Sequence, residues 1–377
     1  MRAMNSLPSA PNILVRGLNW LGDAIMATPA LQRLREAQPN AHITLLTPDK
    51  LACLWENQPY LDEILTFTKR QTIWKTAFLL RKRHFDVGIA LPNSIRSALE
   101  LRLAGIPFRI GRARPWRTFL LTTPVPPRPG ARSMHKLSRS EALLAISNHT
   151  PPPAKAISPA AHHVHDYLDL ISHLGGSLEP LPPKIWVTEK EIAEAQDRLG
   201  INPTDLEHPW CGLNPGAEYG PAKRWPAENF VDAAVQLHHQ TGCRWVIFGG
   251  AGDMQTAREI EEKIQHGSGT TTPITLNMAG KTTLRQLASA LRLCRFVLTN
   301  DTGPMHLASA VGAPVIVLFC STSPEMTGPV FAQNARILRA TVPCSPCFQR
   351  ICPVDSRCMR EITVEHVVRE GLSFLKS

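Results

Sequence analysis

The sequence predicts an α/β protein made of two doubly wound, Rossmann-like halves, each on a parallel sheet. Three observations predict it. Short β-branched runs alternate with helical segments along the chain, the runs are apolar enough for strands covered on both faces, and the alternation restarts once near residue 180. A length of 377 residues agrees with two domains rather than one or four. With 43% hydrophobic and 19% charged residues, the chain can bury a sizeable core, which excludes wholesale disorder.

Strands are expected at Asn12–Val15, Ile43–Leu46 and Asp86–Leu91, then at Cys211–Asn214, Arg244–Gly249, Phe296–Thr299 and Val315–Phe319. Helices are expected at Ala24–Glu36, Ile73–Arg83, Ile95–Ala104, Lys136–Ile146 and Ala161–Leu174, and later at Ala227–His239, Met254–Ile264 and Thr283–Leu293. Proline marks loops at Pro124–Pro129, at Pro151–Pro153 and at Pro180–Pro183. Only the last follows a helix and a Gly175–Gly176 pair just where the pattern restarts, so the boundary is placed at 180. Open sheets of this kind bind ligands beyond the carboxyl ends of their strands, and two of them facing one another would put an active site in the cleft between.

The net charge of +10 predicts an acidic partner. It is concentrated: Lys69 to Arg139 holds sixteen Lys and Arg against Asp86 and Glu100, a balance of +14, and the remainder of the chain carries −4. This reads as one binding surface, the alternative being a solvated face with local ion pairs. The N-terminus lacks the apolar stretch of a signal peptide, and the strongest apolar run, Ala313–Cys320, is far shorter than a membrane span. A cytoplasmic protein is expected, and most of its nine cysteines fall in apolar stretches as reduced thiols.

Four constellations can carry chemistry. After the first strand, Arg16-Gly17-Leu18-Asn19-Trp20-Leu21-Gly22-Asp23 has two glycines but no third at dinucleotide spacing. Asp23 there is either a helix cap or a general base for a substrate hydroxyl. Asn300-Asp301-Thr302-Gly303-Pro304-Met305-His306 leads from a strand into a helix start, where free N–H groups and the helix dipole favour an anion such as phosphate. In it Asp301 suits a sugar hydroxyl or loop orientation, and His306 either donates to a phosphate or packs on the sheet. The loop Asn214 to Pro226 sets Glu218 and the cations Lys223 and Arg224 beside Trp225, fit for a diphosphate, while the loop with Gly249, Gly250 and Asp253 is a weaker nucleotide signal. Finally, Cys344, Cys347, Cys352 and Cys358 fall within fifteen residues as a zinc knot, disulfides or free thiols.

The segments ILVRGLNWLGDAIMATPALQRLR, LPNSIRSAL, NPGAEYGPAKRWP and NDTGPMHLASAVGAPVIVLF together resemble the ADP-heptose:lipopolysaccharide heptosyltransferases, glycosyltransferase family 9, over nearly the whole chain. LPNSIRSAL and PGAEYGPAKRWP resemble most the members that add the second heptose. The resemblance implies a GT-B fold and inverting transfer of L-glycero-D-manno-heptose from ADP-heptose to the heptosyl-Kdo2 inner core of lipopolysaccharide. It implies an acceptor-binding domain over 1–180, a donor-binding domain over 181–360, and a C-terminal helix over 361–377 packing back on the first. On this sequence Asp23 would be the base, Lys223 would bind the donor phosphates, Asp301 the heptose, and Thr302, Gly303 and Pro304 would form the phosphate loop. His306, Glu218 and Gly250 are grouped with the donor, and Asn93, Ser94, Arg96, Arg109, Arg112, Arg114 and Arg117 with the acceptor. No acid-rich metal motif is apparent, so no cofactor is expected to be required; a divalent ion is left open but is not indicated. The basic region is expected to meet the anionic acceptor and the cytoplasmic face of the inner membrane. A nucleic-acid partner is not expected, since the chain has only three Tyr and no recognition motif.

Overall fold

The computed structural model describes residues 7–149, 157–202, 204–205 and 207–376, so the loop expected at Pro151–Pro153 and the first six residues lie outside the described residues. The strands are β1 (Asn12–Arg16), β2 (His42–Pro48), β3 (Glu63–Phe67), β4 (Val87–Ala90), β5 (Phe108–Arg112), β6 (Thr123–Val125), β7 (Trp210–Asn214), β8 (Arg244–Ile247), β9 (Thr275–Asn277), β10 (Val297–Asn300), β11 (Val315–Phe319) and β12 (Ala335–Arg339). The helices are α1 (Leu21–Met26), α2 (Thr28–Ala37), α3 (Ile73–Arg81), α4 (Ile95–Leu103), α5 (Arg139–Ser147), α6 (His163–Ser172) and α7 (Glu189–Leu199). They continue as α8 (Ala227–Thr241), α9 (Met254–Gly267), α10 (Leu284–Arg292), α11 (Gly303–Ala310), α12 (Pro324–Thr327), α13 (Arg357–Glu361) and α14 (Val364–Leu375).

The strands form two six-stranded sheets, β3-β2-β1-β4-β5-β6 and β12-β11-β10-β7-β8-β9, with every pairing parallel. Counted from its own first strand, the second sheet repeats the order of the first. Each sheet therefore reverses its winding once, between β1 and β4 and between β7 and β10. At such a point the outgoing loops diverge to opposite faces, leaving a crevice at the carboxyl edge where ligands bind.

Helix boundaries follow local chemistry. The helix expected over Ala24–Glu36 is two helices, because Pro29 occupies the first turn of α2 and cannot continue the hydrogen-bond ladder of α1. Helix α5 starts at Arg139 rather than Lys136 because Ser138 and Glu141 form a reciprocal capping box. Strands β10 and β11 are buried along their whole length, as central parallel strands covered by helices must be.

Two compact units result, Met1–Ala131 with Ala160–Trp186, and Arg132–Pro159 with Val187–Ser377. The boundary expected at 180 thus falls after Trp186, and α5 joins the second unit, where the Leu137 amide donates to the Cys347 carbonyl at 3.0 Å and Gln349 Nε2 to the Leu137 carbonyl at 2.6 Å. The expectation that the closing helix packs back on the first domain is corrected. Helix α14 lies on α8 and β11 of the second unit, its Val367 and Val368 share a core with Trp245, Phe230 and Phe296, and Arg295 Nε donates to the Phe374 carbonyl at 2.8 Å. An apolar stripe is drawn to the nearest uncovered apolar surface, which here is the second sheet.

One buried ion pair locks the first unit. Arg16, at the end of β1, meets Glu100 of α4 at 3.0 Å with both side chains almost fully buried, and Arg96 Nε binds the other Glu100 oxygen at 2.8 Å. Burial lowers the Arg16 pKa, and the Glu100 carboxylate opposes that effect. Replacing Glu100 with Ala strands a buried guanidinium, so urea unfolding of Glu100→Ala is expected to show a loss of about 3–5 kcal/mol.

Candidate active site

The winding reversal of the second sheet brings together the loops after β7 and β10. Lys223, in the first, and Asp301, directly after β10, form an ion pair of 2.5 Å between Nζ and Oδ2, with the side chains 13% and 4% exposed. Thr322, from the loop after β11, donates its hydroxyl to the same Oδ2 at 2.5 Å. Asn300 fixes the two loops to each other: its Nδ2 donates to the Pro215 carbonyl at 2.7 Å, and its Oδ1 accepts from the Trp225 amide at 3.0 Å. Thr302 then opens α11 without a side-chain cap, and Gly303 and Pro304 form its first turn. The first amides of a helix have no carbonyl partner within it, so a cation and an uncapped helix start meet at one point, an arrangement suited to a diphosphate. His306 is buried in the next turn, whereas Glu218 is exposed.

The loop after β7 is braced from outside. Tyr219 donates its hydroxyl to the Phe348 carbonyl at 2.8 Å, Arg350 Nε donates to the Tyr219 carbonyl at 2.6 Å, and the Ala222 amide donates to the Arg350 carbonyl at 3.0 Å. Lys223 Nζ lies 5.0 Å from the centre of the Tyr219 ring, a cation–π distance. Gly216 is needed because a Cβ there would stand 2.5 Å from an Asp253 oxygen. That carboxylate accepts from the Gly250 amide at 3.0 Å and faces Arg224 at 3.6 Å, which places Gly250 and Asp253 beside the same loop. At Gly220 (φ +153) a Cβ would come within 2.4 Å of the Arg350 carbonyl oxygen. Gly220→Ala is therefore expected to cost about 1–3 kcal/mol in thermal unfolding and to weaken donor binding as the loop shifts.

In the first unit the reversal brings together the loops after β1 and β4. Trp20 is the N-cap of α1 and makes no side-chain cap, so Asp23 is not the cap; it is half-buried in the first turn. After desolvation, the Asp23 charge is the next cause raising the buried Tyr167 hydroxyl well above its ordinary pKa. Asn93 and Ser94 are exposed at the start of α4, where Ser94 Oγ caps the Ser97 amide at 3.2 Å.

The basic region divides into inner and outer side chains. Arg112 is buried, bonded to Asp169 at 2.6 Å and to the Pro126 and Asp166 carbonyls. Arg109 Nε donates to the Leu120 carbonyl at 2.8 Å, and Arg96 binds Glu100 and the Gln71 carbonyl. These three hold loops in place. Arg117 is fully buried and donates to the Pro92 carbonyl ahead of Asn93 at 2.9 Å, and its Nε and Nη2 have no hydrogen-bond partner among the described residues. Burial, with repulsion from Arg114, brings Arg117 down to about 10, so it remains charged at neutral pH. Arg114 is exposed.

Cys344, Cys347, Cys352 and Cys358 line one small cavity with Cys320 and Ala142. All nine cysteines carry free thiols, and burial pushes Cys344 up to about 11. Among the described residues no group of three or more His, Cys, Asp or Glu is arranged to hold a metal ion. Of the site, sequence reasoning missed Thr322, Tyr219 and Arg350. The last two belong to segments it singled out for other reasons, and Thr322 follows an apolar strand with no local signature.

Known proteins resemble this chain in sequence and in fold. The description Glycosyltransferase family 9 (heptosyltransferase) matches residues 127–357. The chain is 29% identical to lipopolysaccharide heptosyltransferase 2 of Escherichia coli, covering 87% of each chain, and 32% identical to lipooligosaccharide heptosyltransferase 2 of Campylobacter jejuni, covering 95% of this chain and 96% of that one. Among solved structures, E. coli ADP-heptose lps heptosyltransferase II superposes with a TM-score of 0.74 at 26% identity over 97% of this chain and 98% of that one. A family 9 glycosyl transferase of Veillonella parvula superposes with a TM-score of 0.77 at 25% identity over 97% of each. With two parallel six-stranded sheets of the GT-B kind and a family match over more than half its length, the chain belongs to glycosyltransferase family 9, the heptosyltransferases, and is a glycosyltransferase.

Proposed function

We propose that the chain transfers L-glycero-D-manno-heptose from ADP-heptose to the heptosyl-Kdo2 inner core of lipopolysaccharide, with inversion, at the cytoplasmic face of the inner membrane. The observation that carries the donor half is the Lys223–Asp301 pair set against the uncapped start of α11 at the winding reversal of the second sheet. As the bond from the anomeric carbon to the leaving oxygen breaks, its electron pair stays on the β-phosphate of ADP. Lys223 and the first amides of α11 stabilise that charge, and Asp301 and Thr322 hold Lys223 in place and offer oxygens to the sugar. Asp23 takes the proton of the acceptor hydroxyl as its oxygen bonds to the anomeric carbon. In this scheme Glu218, Gly250 and His306 border the donor, Asn93, Ser94 and Arg114 meet the acceptor, and Arg96, Arg109, Arg112 and Arg117 position the loops that do so. No metal is assigned a step.

The test is a transfer assay with ADP-heptose and two acceptors, Kdo2-lipid A with and without the first heptose, read by mass. Gain of one heptose on the heptose-bearing acceptor alone is the expected result. Gain on the heptose-free acceptor would move the enzyme to a different core position.

A further inference from the structure

We propose that one face of the first unit, the outer side of α3, α4 and the 3-10 turn Thr118–Leu120, is a docking surface for an anionic phospholipid bilayer. The five Trp and Phe side chains exposed among the described residues are Trp20, Trp74, Phe78, Trp116 and Phe119, all in this unit. Four of them stand on this face. Trp74 and Phe78 are 71% and 62% exposed and lie one turn apart on α3, so they share an outward stripe while Thr76, Ala77 and Leu80 face the core. Helix α3 packs on α4, and α4 packs on the turn that carries Phe119, next to Trp116. Trp116 and Phe119 are 81% and 72% exposed.

Single exposed apolar residues are ordinary, but four exposed Trp and Phe side chains on successively packed elements of one unit are not. Trp116 adds a second cost, since it is held at φ +62, a left-handed conformation that is strained for a bulky side chain.

The charge around these rings identifies the occupant. Between residues 69 and 119 the exposed charges are Lys69, Arg70, Lys75, Arg81, Lys82, Arg83, Arg102 and Arg114, with no exposed Asp or Glu. Lys82 Nζ lies 4.5 Å from the Phe78 ring centre, so cation and aromatic are presented together. Trp and Phe amid Lys and Arg are what the headgroup zone of an anionic bilayer accommodates, because the rings enter the acyl boundary while the cations stay with the phosphates. Protein interfaces favour Trp, Phe and Arg but are depleted in Lys, whereas here Lys75 follows Trp74 and Lys82 lies over the Phe78 ring. No described helix is long and apolar enough to cross a membrane, so the contact would be made from the surface.

The placement has a consequence for the reaction. Trp74 and Trp116 follow the carboxyl ends of β3 and β5, on the same sheet edge as the loop carrying Asp23. A bilayer held there would present a lipid-anchored acceptor to the edge where the proposed base sits. This last step rests on the function proposed above; the docking itself does not.

The experiment compares the full-length protein with the variant Trp74→Ser, Phe78→Ser, Trp116→Ser, Phe119→Ser in co-sedimentation with phosphatidylethanolamine/phosphatidylglycerol vesicles and with phosphatidylcholine vesicles. The wild type is expected to bind the anionic vesicles, less so in high salt. The variant is expected to bind them at least about tenfold more weakly while keeping its melting temperature and its turnover on a deacylated, water-soluble acceptor. Equal vesicle binding by the two proteins overturns the proposal. So does a parallel loss of turnover on the soluble acceptor, which would make the face part of the acceptor site, or conversion of a dimer to a monomer with vesicle binding unchanged, which would make it a protein interface. A wild type that binds vesicles but transfers heptose to no acceptor would refute the proposed function and leave the docking surface standing.

Discussion

Lys223→Ala is expected to lose about 10²–10³-fold in kcat, the scale of removing one preorganised group that stabilises a developing negative charge. It should also destabilise the protein by about 3–5 kcal/mol, because Asp301 is left buried without its cation and, among the described residues, with only the Thr322 side chain donating to it. The two effects separate in the double variant Lys223→Met, Asp301→Asn. Removing both charges should restore much of the melting temperature and none of the turnover. If the double variant instead regained activity along with stability, Lys223 would be a structural partner of Asp301 and the assignment of leaving-group stabilisation would fail.

Asp23→Asn is expected to lower kcat by about 10²–10⁴-fold, the range of a general base, with the melting temperature unchanged. The amide keeps the size of the carboxylate and cannot accept the proton. The N-cap of α1 is Trp20, and an amide at position 23 can still accept the hydrogen bonds that a carboxylate oxygen accepts. Donor binding should be preserved, since every donor group proposed lies in the second unit. Near-normal turnover by this variant would remove Asp23 from the mechanism.

The interior of each sheet was legible in the sequence and the edges were not. Strands β1, β2, β4, β7, β8, β10 and β11 are all central and were expected; β3, β6, β9 and β12, which were not, are the four edges. An edge strand has one neighbour, tolerates polar residues and proline, and loses the apolar run that marks a covered strand, as Pro124 in β6 and the two arginines of β12 illustrate. The central strand β5 escaped for a different reason: its Phe-Arg-Ile-Gly-Arg sequence carries two arginines whose charges are satisfied by carbonyls and by Asp169, partners that are distant in sequence.

The site was legible where chemistry is local. Asp301, Thr302, Gly303 and Pro304 are consecutive, and a strand followed by Gly-Pro signals a helix start by itself. Long-range contacts left no such trace. Nothing near Lys223 indicates that its partner is Asp301, and nothing near Tyr219 indicates that Phe348 and Arg350 hold it. The same limit explains why the four-cysteine segment was left open between a zinc knot, disulfides and free thiols: its cysteines are free, and nothing local indicates that Arg350 within it braces the loop that carries Lys223.

The division of labour between an acceptor base on the first sheet and a donor site on the second is tested most directly by calorimetric titration of ADP-heptose into Asp23→Asn and Lys223→Ala in parallel. The account predicts that Asp23→Asn binds the donor as the wild type does, within about twofold, while Lys223→Ala binds it at least about tenfold more weakly, the loss of a charge-assisted hydrogen bond. Donor affinity lost equally in both variants, or retained in Lys223→Ala, would contradict it.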